Sequence, residues 1–213
     1  MNYIEYSARA IQVARPLPHE NTVVHAALGI TSEIGELFTE LAKVRANGAD
    51  QQTQGRFKLE IGDVAWYINQ MLDTLCISFD DLAITYFQMT PHHAAGTSFV
   101  EVAGGLLMEM SVCAGHISDH AKRLVLIGKP VPVPEMAYTL ARLWGALSTL
   151  ATLSNLRWDE IFDANIEKLN ARHPNQTFSE AGSEAHRDGC EHPADDLLPV
   201  PDAPALGSEP EAP

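Results

Sequence analysis

A long run of apolar residues with helical period, near the start of the chain, is the feature that most constrains its fold. Between residues 23 and 41, apolar side chains recur every three or four positions, which places them on one face of an α-helix. The same period recurs in five further segments, near residues 56–76, 79–90, 99–127, 134–154 and 158–172. No series of strands and turns is visible. The sequence therefore predicts an all-α helical bundle.

Cap and turn residues suggest where the first two helices begin and end. Asn21 or Thr22 is the expected N-cap of the first helix, and Asn47-Gly48 is its expected end. The second helix is expected to begin at about Arg56. These limits predict a helical hairpin.

Two pairs of carboxylates stand on these helices, Glu33 with Glu36 and Glu60 with Asp63. Residues three apart project from one face of a helix. If the hairpin pivots near Gly48, Glu36 and Glu60 lie equally far from the pivot, and so do Glu33 and Asp63. The spacing therefore predicts four carboxylates at one level, facing one another.

Four facing carboxylates repel one another, and a divalent cation removes the repulsion. Oxygen ligands select Mg²⁺ or Mn²⁺, and Mg²⁺ also accepts phosphate oxygens and activates water. The alternative is that the acids lie on solvated helix faces and pair with Lys43 or Lys58. Apolar neighbours argue against it, as do Gly35 and Gly62, which leave room for a close helix or a ligand.

The stretches Ala27–Leu37 and Leu59–Ile68, which contain the two acidic pairs, resemble the metal-binding helices of the MazG-like nucleotide pyrophosphohydrolases, of the all-α NTP pyrophosphatase superfamily. The resemblance implies that the four carboxylates bind Mg²⁺, for which Mn²⁺ substitutes, and that one of them helps to activate water. It implies conversion of an NTP or dNTP to the monophosphate and pyrophosphate. It also implies a homo-oligomer, a dimer or a tetramer.

A third segment, from Asn165 to Pro174, resembles the closing helix of viral and bacterial members of this family. By this resemblance Asn165, Lys168 and Arg172 contact the substrate. Lys168 and Arg172 lie one turn apart and can reach phosphate oxygens together, or they are a solvated basic helix end. Trp66 or Tyr67 is a candidate for stacking on the base, with a plain core position as the alternative.

The N-terminal residues 3–6 and the closing segment look more like viral members than bacterial ones. Viral members are expected to reshape deoxynucleotide pools, and some convert dGTP or GTP to a monophosphate precursor for altered purine metabolism. The resemblance therefore favours dGTP or GTP as the substrate. His25, Asn69 and Gln70 are candidates for contacts with the edge of guanine.

The middle of the chain is a candidate second copy of its first half. An offset of 80 residues superposes the two acidic positions of the first helix, Glu33 and Glu36, on Cys113 and His116. Amphipathic helices also align by chance, so a pseudo-dimer is one of two interpretations. The predicted MazG-like domain spans residues 1–178. Its metal-binding half is 1–95, and its candidate degenerate repeat is 96–178.

Composition excludes some partners and predicts a tail. A net charge of -14, with only 14 Lys and Arg residues, argues against nucleic acid. Residues 179–213 are rich in Pro and Ala and hold nine acids against one Arg, which predicts a disordered acidic tail. Short apolar runs, no signal-like start and three scattered cysteines predict no membrane segment and a cytoplasmic protein, in the host cytoplasm if viral.

Two other functions fit the same sequence. One is a catalytically inactive helical bundle that binds a nucleotide or a protein and holds a structural metal ion. The other is a zinc-dependent hydrolase that uses His116 and His120, one turn apart on a predicted helix.

Overall fold

The chain is helical, and the prediction of an all-α fold is confirmed. In a computed structural model, which describes residues 1–82, 97–175 and 178, no β-strand occurs among those residues. The helices are α1 (Tyr3–Gln12), α2 (His19–Asn47), α3 (Gln51–Thr74), α4 (Phe99–Ile127), α5 (Val133–Leu153) and α6 (Trp158–Arg172). Residues 79–82 begin another helical turn; the rest of the segment predicted there, and the tail 179–213, lie outside the described residues.

Two helical hairpins pack side by side and share one core. α2 packs against α3 in the first hairpin and against α4, which pairs with α5 in the second. Ile61, Leu107 and Leu140, from both hairpins, are fully buried in one hydrophobic cluster. α6 packs on α3, and α1 lies against both of them. The two hairpins therefore form one unit with a common interior.

The start of α2 differs from the prediction, whereas its end agrees with it. The helix begins at His19, directly after Pro18, and no side chain caps it. The Thr22 hydroxyl donates to the Pro18 carbonyl at 3.1 Å, within the first turn, so Thr22 is not the N-cap. The helix ends at Asn47, where Gly48 has a φ of 84° that favours glycine.

The start of α3 is also earlier than predicted. Asp50 is its N-cap, and the carboxylate accepts from the backbone N–H of Thr53 at 2.7 Å. This cap starts the helix at Gln51 instead of at about Arg56. The added turn leaves a short link after Gly48, which keeps α2 and α3 antiparallel neighbours.

The first helix, α1, begins with a capping box formed by Asn2 and Glu5. The Asn2 side chain accepts from the Glu5 backbone N–H, and the Glu5 carboxylate accepts from the Asn2 backbone N–H. Tyr6 is fully buried and stacks on Phe162 of α6, with ring centroids 4.3 Å apart. α1 thus fastens α6 to the bundle.

The two hairpins agree closely in length. α2 and α4 each have 29 residues, and the offset of 80 maps both ends of one helix onto the other. α3 has 24 residues and α5 has 21. Equal helices are what a duplication produces, and common origin of the two hairpins stays a prediction.

By length and composition alone, α4 is apolar enough to cross a membrane, with a mean hydropathy of 1.2 over 18 residues. Of that window, 44% is buried inside the bundle. The core helices of soluble bundles have the same composition, and α4 packs between α2 and α5. The expectation of no membrane segment stays a prediction.

Candidate metal centre

The first hairpin brings three of the four predicted carboxylates together. One oxygen from each of Glu33, Glu36 and Glu60 lies within 4.8 Å of the other two. Glu60 is buried, and the two acids of α2 are half-buried. Because α2 ends at residue 47 and α3 begins at 51, the acids lie level across the hairpin, as the register predicted.

Burial and mutual repulsion favour the protonated form of two of these carboxyls. Burial, followed by the charges of Asp63, Glu36 and Glu60, raises the pKa of Glu33 to about 8, and the charge of Lys168 opposes this rise. Burial, followed by Glu36 and Asp63, raises the pKa of Glu60 to about 7. The ionised forms of Glu33 and Glu60 are therefore unfavourable here unless a cation compensates their charge.

The fourth carboxylate, Asp63, is held by two side chains of α6. The Asn165 amide nitrogen donates to Asp63 Oδ1 at 2.8 Å. The Lys168 ammonium contacts the other oxygen, Oδ2. Asp63 is 7% exposed, so both partners shield it from water. The structure thus gives Asp63 protein partners, while the three glutamates face one another.

Asn165 is in turn oriented from α1 and seated against α3. The Tyr6 hydroxyl donates to Asn165 Oδ1 at 2.9 Å. A Cβ on Gly62 would lie 3.1 Å from the Asn165 Cβ, so glycine permits this close approach of α6 to α3. Asn165 is 1% exposed, and both ends of its amide are used inside the protein. This burial does not favour the direct contact of Asn165 with substrate that the resemblance implied.

Gly35, the other glycine between paired acids, has a different environment. It is exposed, and apart from its own helix no atom of the described residues lies within 4 Å of where its Cβ would be. The side of α2 that carries Gly35 is therefore open. Gly62 therefore permits the close contact of α3 with α6, whereas Gly35 leaves open space beside α2.

Tyr67 lies over the acidic group because α2 has a glycine below it. A Cβ at Gly29 would lie 2.2 Å from the Tyr67 ring, so only glycine accommodates this ring position. Burial, then the charges of Glu33 and Asp63, raises the pKa of the Tyr67 phenol above its usual range. The phenol therefore stays neutral beside the acids.

Trp66 lies next to Tyr67, and both rings meet His25 edge to face. The ring centroid of His25 is 5.4 Å from that of Tyr67 and 6.3 Å from that of Trp66. The Trp66 indole N–H donates to the Ala10 carbonyl at 3.4 Å. These partly exposed rings form an aromatic rim beside the acids. Asn69 and Gln70, the other candidates for base contacts, are buried in the core.

Arg172 supplies a second positive charge on the same side. Its charge lowers the pKa of Tyr67, opposing the acids. Its Nε atom is buried and, within the described part of the chain, has no hydrogen-bond partner. A buried donor without an acceptor costs about 1–3 kcal/mol, so an anion arriving here would be stabilised.

The residues present fit Mg²⁺ or Mn²⁺. The donors are hard carboxylate oxygens that are close enough to share one ion, and burial and neighbouring negative charge raise the pKa values of Glu33 and Glu60, which a cation would offset. The solvated-face alternative does not describe these acids. Lys43 pairs with Glu40 at 3.2 Å, one turn further along α2.

The zinc alternative gains no support from the geometry. His120 Nε2 lies 3.8 Å from Glu135 Oε2, while His116 is exposed. In the described ranges, the glutamates of the first hairpin are the one group of three or more ligand-type side chains within reach of a shared ion.

No protein-family model, curated protein or solved structure matches the chain. The family therefore stays a proposal. What can be said of function depends on the residues described above.

The sequence did not reveal Tyr6, and it predicted Asn165 as a contact of the substrate and not as a partner of Asp63. Tyr6 is a fully buried phenol on α1, and Asn165 lies on the buried face of α6. A buried amide and a buried phenol both need partners. That requirement is the signal that could have linked them to Asp63.

Proposed function

We propose that this chain is a Mg²⁺-dependent nucleoside triphosphate pyrophosphohydrolase of the MazG-like type. It converts a (d)NTP and water to the (d)NMP and pyrophosphate. The observation that carries the proposal is the group formed by Glu33, Glu36 and Glu60, whose oxygens lie within 4.8 Å of one another opposite the basic residues of α6.

Each side of the site has a part in this proposal. Glu33, Glu36 and Glu60, joined by Asp63, hold the ion, for which Mn²⁺ substitutes. When bound, Mg²⁺ neutralises the carboxylates, accepts phosphate oxygens and lowers the pKa of a water molecule. Lys168 and Arg172 are one turn apart on α6 and bind the phosphate oxygens.

The aromatic rim supports a base next to the triphosphate. Tyr67 stands beside the acids, and Trp66 and His25 extend the rim away from them. A purine offers more area for stacking than a pyrimidine. His25 is half-buried and can hydrogen-bond to the edge of a base. We therefore favour dGTP or GTP as the substrate.

The test is the release of pyrophosphate from each canonical dNTP and NTP, in Mg²⁺ and in Mn²⁺, with EDTA as the blank. We expect hydrolysis only with metal, and the highest kcat/KM for a guanine nucleotide. A preference of about tenfold or more for dCTP or dUTP would overturn the purine assignment and leave the metal site standing. Metal binding without pyrophosphate release would favour the inactive bundle.

We further propose that the working unit contains at least two chains, a dimer or a tetramer. Exposed apolar side chains on α2 and α4, Leu28, Met108 and Val112, are 63%, 62% and 48% exposed, which favours a partner surface. Light scattering checks this proposal. A mass near 23.2 kDa would instead favour a monomeric pseudo-dimer.

A further inference from the structure

The two oxygens of Asp63 have unequal partners. Oδ1 accepts from Asn165, which is 1% exposed, is held by the Tyr6 hydroxyl and is seated against Gly62. Every side chain in that chain of contacts is buried. Oδ1 therefore has a partner that is fixed by the packing of α1, α3 and α6.

Oδ2 has a partner that can leave. The Lys168 side chain is 20% exposed, and its ammonium ends a flexible four-carbon stem. The same ammonium lowers the pKa values of Glu33 and Glu60, so it acts as a counter-charge for the whole acidic group. It occupies the oxygen of Asp63 whose partner is free to turn away.

We propose that Lys168 and the metal ion compete for Oδ2 of Asp63, so that metal binding releases the Lys168 ammonium for an incoming phosphate. Without metal, Lys168 neutralises the site. With metal bound to the three glutamates, the ion takes over Oδ2, and Lys168 turns to the anion. The competition for Oδ2 rests on the metal site of the proposed function, and the phosphate half rests also on the proposed substrate.

The exchange couples the two binding events. An anion that draws Lys168 away from Asp63 frees a metal ligand, and a metal that occupies Asp63 frees an anion ligand. Such coupling is reciprocal. The exchange concerns Lys168, whose ammonium is the charge of α6 seen in contact with Asp63.

The experiment measures Mn²⁺ binding to the full chain, with no nucleotide, by isothermal titration or electron paramagnetic resonance. We expect Lys168→Met to bind Mn²⁺ about tenfold more tightly than the wild type, within the range of typical couplings. Lys168→Arg keeps the competitor and should bind like the wild type. Lys43→Met is the matched control, because it also removes a lysine from a buried carboxylate, Glu40, outside the group of three.

Unchanged or weaker Mn²⁺ binding in Lys168→Met would overturn the exchange. An equal gain in Lys43→Met would also overturn it, since net charge would then explain the effect. If Lys168→Met does not fold, Lys168→Gln replaces it, with a smaller gain expected. Hydrolysis by the wild type, measured in parallel, separates the two proposals. Tighter metal binding without hydrolysis sinks the function alone, and hydrolysis without tighter binding sinks the exchange alone.

Discussion

The two hairpins have the same architecture and opposite electrostatics. Across α4 and α5, Arg142 Nε donates to Glu109 Oε1 at 2.8 Å, so a positive charge meets a negative one. Across α2 and α3, Glu36 meets Glu60 and like charges face each other. Both hairpins bury their apolar faces in one core. A helical hairpin of this length therefore folds without such carboxylates. In the first hairpin they lower the stability of the fold, which favours a role in binding a ligand.

Cys113 and His116 are the positions of α4 that correspond to Glu33 and Glu36 at an offset of 80, and neither carries a negative charge. Cys113 is buried, and burial raises the pKa of its thiol to about 11, so it is neutral. His116 is exposed on the outside of α4. The second hairpin thus keeps the shape and lacks the charge. A substitution at matched positions should separate these two properties.

The largest expected difference is in activity. Glu36→Gln removes a metal ligand and should lower kcat by about 10²-fold or more, because the catalytic ion is lost or displaced. His116→Gln changes the matched position in the second hairpin and should leave the rate within about twofold. Pyrophosphate release measures both, with circular dichroism to show that each variant is folded. Near-normal turnover in Glu36→Gln and in Glu60→Gln would refute the metal centre.

A second contrast concerns stability. Gly29→Ala places a Cβ 2.2 Å from the Tyr67 ring and should lower the free energy of unfolding by about 1–3 kcal/mol. Gly115→Ala, on the second hairpin, meets no atom of the described residues within 4 Å apart from its own helix, and it should raise the free energy of unfolding by about 0.5–1 kcal/mol. Urea unfolding measures both. Two stabilising substitutions would mean that the Tyr67 ring is not seated on α2.

The pH dependence of stability should also belong to the first hairpin. In the unfolded chain Glu33 and Glu60 ionise near their ordinary pKa of 4.5, and in the folded protein near 8 and 7. The folded state therefore binds more protons between these values, so stability falls as pH rises. In EDTA, the thermal midpoint should fall progressively between about pH 5 and pH 8.

Two measurements check the origin of this drop. Mn²⁺ should flatten it, because the ion replaces the lost protons. The double variant Glu33→Gln, Glu60→Gln should flatten it without metal. A drop that survives in the double variant would assign it to groups elsewhere in the bundle.

The smallest effect is expected for the tail, which belongs to neither hairpin. Deletion of residues 179–213 should change the thermal midpoint by less than about 2 °C and leave hydrolysis intact, because the tail has few groups that could bury apolar area. Differential scanning calorimetry compares the two chains. A midpoint lowered by several degrees would show that the tail docks on the helices.

The sequence was sufficient for the fold class and for the level of the acids, since helical period and turn position are local properties. The end of α2 at Asn47 followed from glycine, whereas the start of α3 depended on the choice of Asp50 as its cap. The hold of Lys168 and Asn165 on Asp63 was not predictable in this way. It depends on how α6 packs on α3, and no local pattern encodes that packing.

The pairing of Asp63 with α6 also sets the order in which the protein can mature on the ribosome. The partners of Asp63 stand 102 and 105 residues later in the chain, whereas α2 and α3 are neighbours in sequence and form early. A nascent chain that ends before α6 presents the first hairpin with its acids and with neither Asn165 nor Lys168. Until the last helix emerges, the acids of the first hairpin have no counter-charge from α6, so docking of α6 relieves repulsion that the hairpin carries from the start.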